Sequence, residues 1–136
     1  MRTLVTRREH FSAGHRLYNP GYSDERNAEV FGKCANPSGH GHNYVLEVTL
    51  EGSVDPETGF LFDLKELSHI IHKSILDEVD HRNLNEDVEW LRGRNPTTET
   101  LAQAFWERLE PQLPAGLLSR VRLIETDKNW VDCTRD

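Results

Sequence analysis

Cysteine is scarce in this chain: Cys34 and Cys133 are the only two among 136 residues. Two thiols cannot supply the framework of a disulfide-built secreted scaffold. Residues 1–8 carry no apolar stretch of the kind an export signal needs, and no run approaches the ~20 apolar residues that cross a bilayer. Reduced thiols and a cytoplasmic location are the expectation, with a Cys34–Cys133 disulfide as the alternative. A basic cluster is also missing. Sixteen Lys and Arg face 23 Asp and Glu, a net charge of −7, which disfavours nucleic acid, whose affinity rests on phosphate contacts. An anionic small molecule stays admissible where Arg16, Lys33 or Lys128 lines a site. Repeats and low-complexity segments are absent, so residues 1–136 read as one domain, small for a deep pocket of its own.

What is present is ordered by periodicity. Residues 2–12 mix β-branched and polar side chains and predict a strand. Residues 17–33 carry Asn, Pro, Gly, Ser and Asp and predict a long loop. From His42 to Gly52 the alternation is clean, with His42, Tyr44, Leu46, Val48 and Leu50 on one face, which predicts a half-buried strand. Asp55-Pro56-Glu57-Thr58-Gly59 predicts a turn. Asp63 then offers an N-cap to a helix whose stripe is Leu64, Leu67, Ile71 and Ile75, ending near Glu78. His69 and His72 fall off that stripe and read as solvated. A second helix follows Asn95-Pro96-Thr97-Thr98-Glu99, with Leu101, Phe105, Leu109 and Leu113 as its stripe. Two strands, 121–126 and 129–133, close the chain. The order β-β-α-α-β-β predicts an α+β fold, a four-stranded antiparallel sheet with both helices on one face. Its two open edges call for oligomerisation.

Three places carry chemistry. In Cys34-Ala35-Asn36-Pro37-Ser38-Gly39-His40-Gly41-His42-Asn43-Tyr44, His40 and His42 leave one face of a strand, giving half of a tetrahedral zinc site. His15, in Phe11-Ser12-Ala13-Gly14-His15-Arg16-Leu17, is the remaining histidine in a comparable setting. Three imidazoles would leave an open fourth position, the catalytic arrangement. Glu125 shares a face with Val121 and Leu123, so its carboxylate must meet a partner. That partner is either an arginine of the fold or the N–H/N–H₂ edge of a guanidine-like ring, as in pterins and guanines. Asp80-His81 is either a turn or a proton relay. Cys34, beside Lys33 and near the proposed cation, reads as a thiolate base or nucleophile, with a buried small hydrophobe as the alternative.

Taken together, these blocks, with Asp80-His81-Arg82-Asn83-Leu84, Thr97-Thr98-Glu99 and Glu125-Thr126-Asp127, resemble the 6-pyruvoyltetrahydropterin synthase family over almost the whole chain. The resemblance implies the tunnelling fold, in which three β-β-α-α-β-β subunits close a twelve-stranded barrel and two trimers stack into a homohexamer. It implies Zn²⁺ on His15, His40 and His42, and Cys34 as proton acceptor. Asp80 and His81 would complete its triad from a neighbouring subunit. Glu125 would anchor the pterin and share in catalysis, with Thr97, Thr98 and Glu99 near the ring. The implied reaction is a lyase reaction, elimination of triphosphate from 7,8-dihydroneopterin triphosphate, with hydrogens moved internally and no redox cofactor. The related 6-carboxytetrahydropterin synthases of deazapurine biosynthesis share substrate and fold. Five residues, Ala35 to Gly39, separate Cys34 from His40, a spacer like that of the pyruvoyl-forming enzymes. A non-catalytic zinc scaffold or a metal-dependent ring hydrolase would need the same histidines, but a scaffold would not need Cys34, His81 and Glu125.

Overall fold

Two long strands set the frame, β1 (Thr3–His15) and β2 (His40–Gly52). They pair antiparallel along their whole length, from Thr3 opposite Gly52 to His15 opposite His40. The computed structural model describes residues 1–136. β2 alternates as its sequence predicts: Tyr44, Leu46, Val48 and Leu50 are fully buried, while Glu47 on the other face bonds Arg8. Two further strands, β4 (Leu118–Thr126) and β5 (Asn129–Thr134), extend the sheet antiparallel on the β2 side.

The helices bury one face of this sheet. α2 (Leu64–Ile71) starts at Asp63, whose carboxylate accepts the Lys65 N–H. It passes through a π-helical segment, His72–Leu76, into a single turn, α3 (Asp77–Val79), so the helical run ends close to the expected Glu78. α4 (Thr98–Leu109) starts at Thr97, whose hydroxyl accepts the Thr100 N–H. Leu67, Ile71 and Ile75 meet Leu101, Phe105 and Leu109 against Tyr44, Leu46, Val121 and Leu123 in one apolar cluster. Each large aliphatic or aromatic side chain fully withdrawn from water there contributes about 1.5–3 kcal/mol. His69 and His72 are exposed, as expected. The uncovered face carries pairs in register, Thr6 with Thr49 and Arg122 with Asp132.

Two expectations need correction. The sheet has five strands, ordered β3-β1-β2-β4-β5, because β3 (Arg82–Asn83) pairs parallel with Ala13 and Gly14 of β1. A two-residue strand has no period for a sequence to reveal. It exists because His81 adopts a positive φ of 62° and turns the chain back beside β1. The segment 17–33 is also not all loop. It contains α1 (Asp24–Phe31), capped by the Ser23 hydroxyl on the Arg26 N–H, and a 3₁₀ turn, Gly32–Ala35, follows. α1 was hidden because its one buried residue is polar Asn27, which clamps the Asn19 peptide through both amide atoms instead of joining an apolar stripe. Both cysteines are free, so the Cys34–Cys133 disulfide is not made.

A candidate metal centre at the mouth of the sheet

The β1–β2 register decides where the histidines fall. His15 ends β1 directly opposite His40, the first residue of β2, and His42 follows two residues on along the same face. Gly39 makes that start possible. It has a φ of 72°, and a Cβ there would lie 3.0 Å from the His15 carbonyl oxygen, so a side chain would meet rigid backbone in a conformation L residues avoid. The three rings converge, with centroids 4.6, 4.9 and 5.2 Å apart. One ring nitrogen from each lies within 4.8 Å of the other two.

Their electrostatics suit a cation. The His15 Nδ1 lies 2.8 Å from the Pro96 carbonyl oxygen. A carbonyl only accepts, so Nδ1 carries the hydrogen and Nε2 presents its lone pair inward. The Nε2 atoms of His15 and His42 are buried without any protein partner. Leaving such atoms unpaired costs about 1–3 kcal/mol each, a cost that coordination would remove. Burial pushes the pKa of both imidazoles down. For His15 it outweighs the Pro96 hydrogen bond and is reinforced by His40 and His42; for His42 it outweighs the attraction of Glu125. The neutral form is the ligand form. Three imidazole nitrogen donors fit Zn²⁺, and their convergence from one side leaves a coordination position open.

Beside them stands Glu125, near the end of β4. No arginine meets it. Its Oε2 accepts a short hydrogen bond of 2.5 Å from the Thr98 hydroxyl, and its Oε1 lies 3.8 Å from His42 Nε2. Thr98 is held because it opens α4, whose body is locked in the core by Leu101 and Phe105. Of the neighbouring candidates, Thr97 spends its hydroxyl on the helix cap and Glu99 is exposed. Tyr44 floors the site, fully buried and stacked on Phe11 at 4.7 Å, with its hydroxyl 3.4 Å from His15 Nδ1. Burial, then the Glu125 charge, raises its pKa. Neither Tyr44 nor Pro96 stood out as a site residue in the sequence. A hydroxyl-bearing ring two residues beyond His42 on an aliphatic face was a signal for the first. A backbone carbonyl leaves none.

Cys34 lies part-buried in the 3₁₀ turn, its carbonyl accepting the Leu17 N–H at 2.8 Å. Asp80 holds two donors, the Ser12 N–H at 2.9 Å and His81 Nδ1 at 3.0 Å. The Ser12 bond, more than the His81 contact, keeps its carboxyl below the usual range despite partial burial. His81 is oriented by this carboxylate, yet its side chain is 81% exposed. A histidine at positive φ is uncommon and costs about 1–3 kcal/mol, which its surroundings must sustain. The single chain thus brings together His15, His40, His42, Glu125 and Thr98. No hydrogen bond joins Cys34 to Asp80 or His81. His81 instead lines a cleft with His42, Asn43 and Arg82, while a second cleft holds His15, His40 and Arg16.

A three-histidine cluster able to hold a metal, beside a preorganised carboxylate at the mouth of a helix-backed antiparallel sheet, marks a candidate metal centre on a protein of the tunnelling-fold class. Comparison with known proteins narrows this. Residues 4–136 match the model of the family described as 6-pyruvoyl tetrahydropterin synthase, and the chain belongs to that family. It is 46% identical over 127 residues to the 6-pyruvoyl tetrahydrobiopterin synthase of Homo sapiens, covering 93% of this chain and 88% of the relative. The solved structure of Caenorhabditis elegans 6-pyruvoyl tetrahydropterin synthase superposes with a TM-score of 0.94 at 40% identity, covering 100% of this chain and 97% of that one. A dihydroneopterin monophosphate aldolase of Pyrococcus furiosus is 35% identical over 94 residues, covering 68% of this chain and 75% of the relative.

Proposed function

We propose that this chain is a zinc-dependent 6-pyruvoyltetrahydropterin synthase, converting 7,8-dihydroneopterin triphosphate to 6-pyruvoyltetrahydropterin and triphosphate. The observation that carries this is the pair of buried, unpartnered Nε2 atoms on His15 and His42, set beside a carboxylate that Thr98 holds in place. The human and worm relatives bear the name of this activity, and the five-residue spacer before His40 agrees with the pyruvoyl product.

His15, His40 and His42 would hold Zn²⁺, which as a Lewis acid polarises substrate hydroxyls and acidifies the C–H bonds beside them. Glu125 accepts the N–H/N–H₂ edge of the ring through the lone pairs that Thr98 leaves free, a bidentate charged contact that fixes the ring. Cys34, as thiolate, takes a proton from a side-chain carbon. His81 acts with it as acid and base, oriented by Asp80. As the adjacent C–O bond breaks, its electron pair leaves with the triphosphate, and the remaining hydrogens move from side chain to ring. No electrons enter or leave, so no redox cofactor is required.

The exposed, pre-oriented His81 supports a site completed between copies, with Asp80 and His81 serving the Cys34 of a neighbour. β5 and most of β1 are sheet edges, consistent with closure into trimeric barrels and a dimer of such trimers. No helix is long and apolar enough to cross a membrane, in keeping with a cytoplasmic enzyme of one domain. Mass analysis of the product from 7,8-dihydroneopterin triphosphate tests the proposal. The pyruvoyl compound and free triphosphate are expected. A 6-carboxytetrahydropterin product would move the chain to the deazapurine branch, and zinc retention without turnover would reduce it to a scaffold.

A further inference from the structure

Every arginine of the chain except Arg16, Arg82 and Arg120 has a carboxylate within 4.0 Å. Arg120 stands on the uncovered face of the sheet, near Thr49. The other two line the two clefts that flank the histidine cluster, Arg16 beside His15 and His40, Arg82 beside His42 and His81. In a chain of net charge −7, guanidinium groups left without a counter-ion at that place form a local exception to the acidic surface.

Arg16 is also fixed in place. Its Nε donates to the Ala35 carbonyl at 2.8 Å, and its guanidinium lies 4.0 Å from the centroid of the Tyr18 ring. Asn85 grips its peptide from both sides, accepting the Arg16 N–H at 2.7 Å and donating to the Arg16 carbonyl at 2.9 Å. The Nη groups have no protein acceptor and share their cleft with the neutral donors Ser38, Asn83 and Asn85. A planar fork held by stacking and one hydrogen bond is preorganised for phosphate oxygens, so less ordering entropy is lost on binding. Glu86 is the one carboxylate on that lining.

We propose that Arg16 is the polyphosphate anchor of this site, with the exposed Arg82 adding a weaker attraction from the opposite cleft. The inference rests on the triphosphate reading above and assigns the group that holds the anionic end of the substrate while Glu125 holds the ring.

Two probes separate the ends of that substrate: inorganic triphosphate and phosphate-free 7,8-dihydroneopterin, each titrated calorimetrically into the zinc-loaded protein. Arg16→Gln should weaken triphosphate binding tenfold or more, the scale of a lost charged hydrogen bond. Arg16→Lys, a point charge without the fork, should lie between it and the native protein, and Arg82→Gln should show the smallest loss. Zinc content and 7,8-dihydroneopterin affinity should stay at native values in all three. Native triphosphate affinity in Arg16→Gln overturns the proposal. If Arg16→Gln also loses zinc or the ring, Arg16→Lys decides: it must keep both and bind triphosphate more weakly, and equal affinity overturns the proposal. A native protein that binds triphosphate through Arg16 but leaves 7,8-dihydroneopterin triphosphate unconverted would sink the synthase reading alone. Turnover with an unchanged KM in Arg16→Gln would sink the anchor alone.

Discussion

Replacing Thr98 with valine keeps the shape of the side chain and removes one hydroxyl, which isolates what that hydroxyl does for Glu125. In the native protein it donates to Oε2 at 2.5 Å from a residue only 8% exposed. Without it the carboxylate has no remaining hydrogen-bond donor from the protein; its nearest polar neighbour is His42 Nε2, at 3.8 Å. The carboxylate would then sample rotamers that ring binding must restrict again. Ordering one such side chain costs about 0.5–1.5 kcal/mol, so 7,8-dihydroneopterin should bind roughly 2- to 10-fold more weakly to Thr98→Val. Glu125→Gln loses the charge itself and exchanges an acceptor for a donor. The cost there is about 1.5–3 kcal/mol, roughly 10- to 150-fold.

The double variant is the sharper measurement. If Thr98 acts only through the carboxylate, Thr98→Val should add little once Glu125 is glutamine, and the two losses should fail to sum. Fluorescence titration with 7,8-dihydroneopterin reads all four proteins, and zinc content serves as the control for the metal site. Native affinity in Thr98→Val, or strictly additive losses in the double variant, would refute the positioning role.

Other expectations follow from the same geometry. His42→Ala should lose stoichiometric zinc by metal analysis, since it removes one of three converging donors. Cys34→Ala should fold, keep zinc and bind 7,8-dihydroneopterin, yet turn over ~10²–10⁴-fold more slowly, the scale of one acid–base group; a near-native rate would move the proton transfer elsewhere. Ile71→Ala, at a fully buried core position, should lower stability by about 2–5 kcal/mol in denaturant unfolding. Light scattering should give about six times 15.7 kDa, and a stable, active monomer would exclude a site shared between subunits. Asp80 gives a pH signature. The Ser12 N–H first, and His81 after it, hold its folded pKa below the ordinary 3.8, so its stabilisation is present at neutral pH and disappears as pH falls through the folded value. Asp80→Asn should therefore be less stable than native at pH 7, and the gap should begin to narrow as pH falls to the ordinary 3.8 and close only below the folded value.

What the sequence disclosed depended on whether a residue acts through a period or through a partner. The β2 face from Tyr44 to Leu50 and the α4 stripe from Leu101 to Leu109 were legible because alternation and helical spacing record which side of an element is buried. His40 and His42 were legible for the same reason. His15 needed more, since nothing local states that its strand pairs in the register that sets it opposite His40; the family resemblance supplied that. Where function rests on a pairwise bond across the fold, periodicity is silent. The face that Glu125 shares with Val121 and Leu123 shows that its carboxylate requires a partner, and points to an arginine of the fold or the N–H/N–H₂ edge of a ring, whereas the donor in the protein is the Thr98 hydroxyl. The threonine was found only once α4 was docked on β4. The Pro96 carbonyl that sets the His15 tautomer, and the Asn27 and Asn85 side chains that clamp neighbouring peptides, lie beyond any pattern, because an amide gripping a backbone has no period and replaces the apolar stripe that would reveal an element. The Cys34–His81 relation stands one level further out. His81 is oriented by Asp80, carries the strain of a positive φ and is still exposed, and the function proposed above pairs it with the Cys34 of a neighbouring subunit. On that proposal, assembly rather than folding of one subunit is the step that completes the catalytic set. It also gives a direct test: mixing Cys34→Ala with His81→Ala under conditions of subunit exchange should restore part of the activity that each lacks, and no restoration in mixed assemblies would place both groups in the same subunit's site.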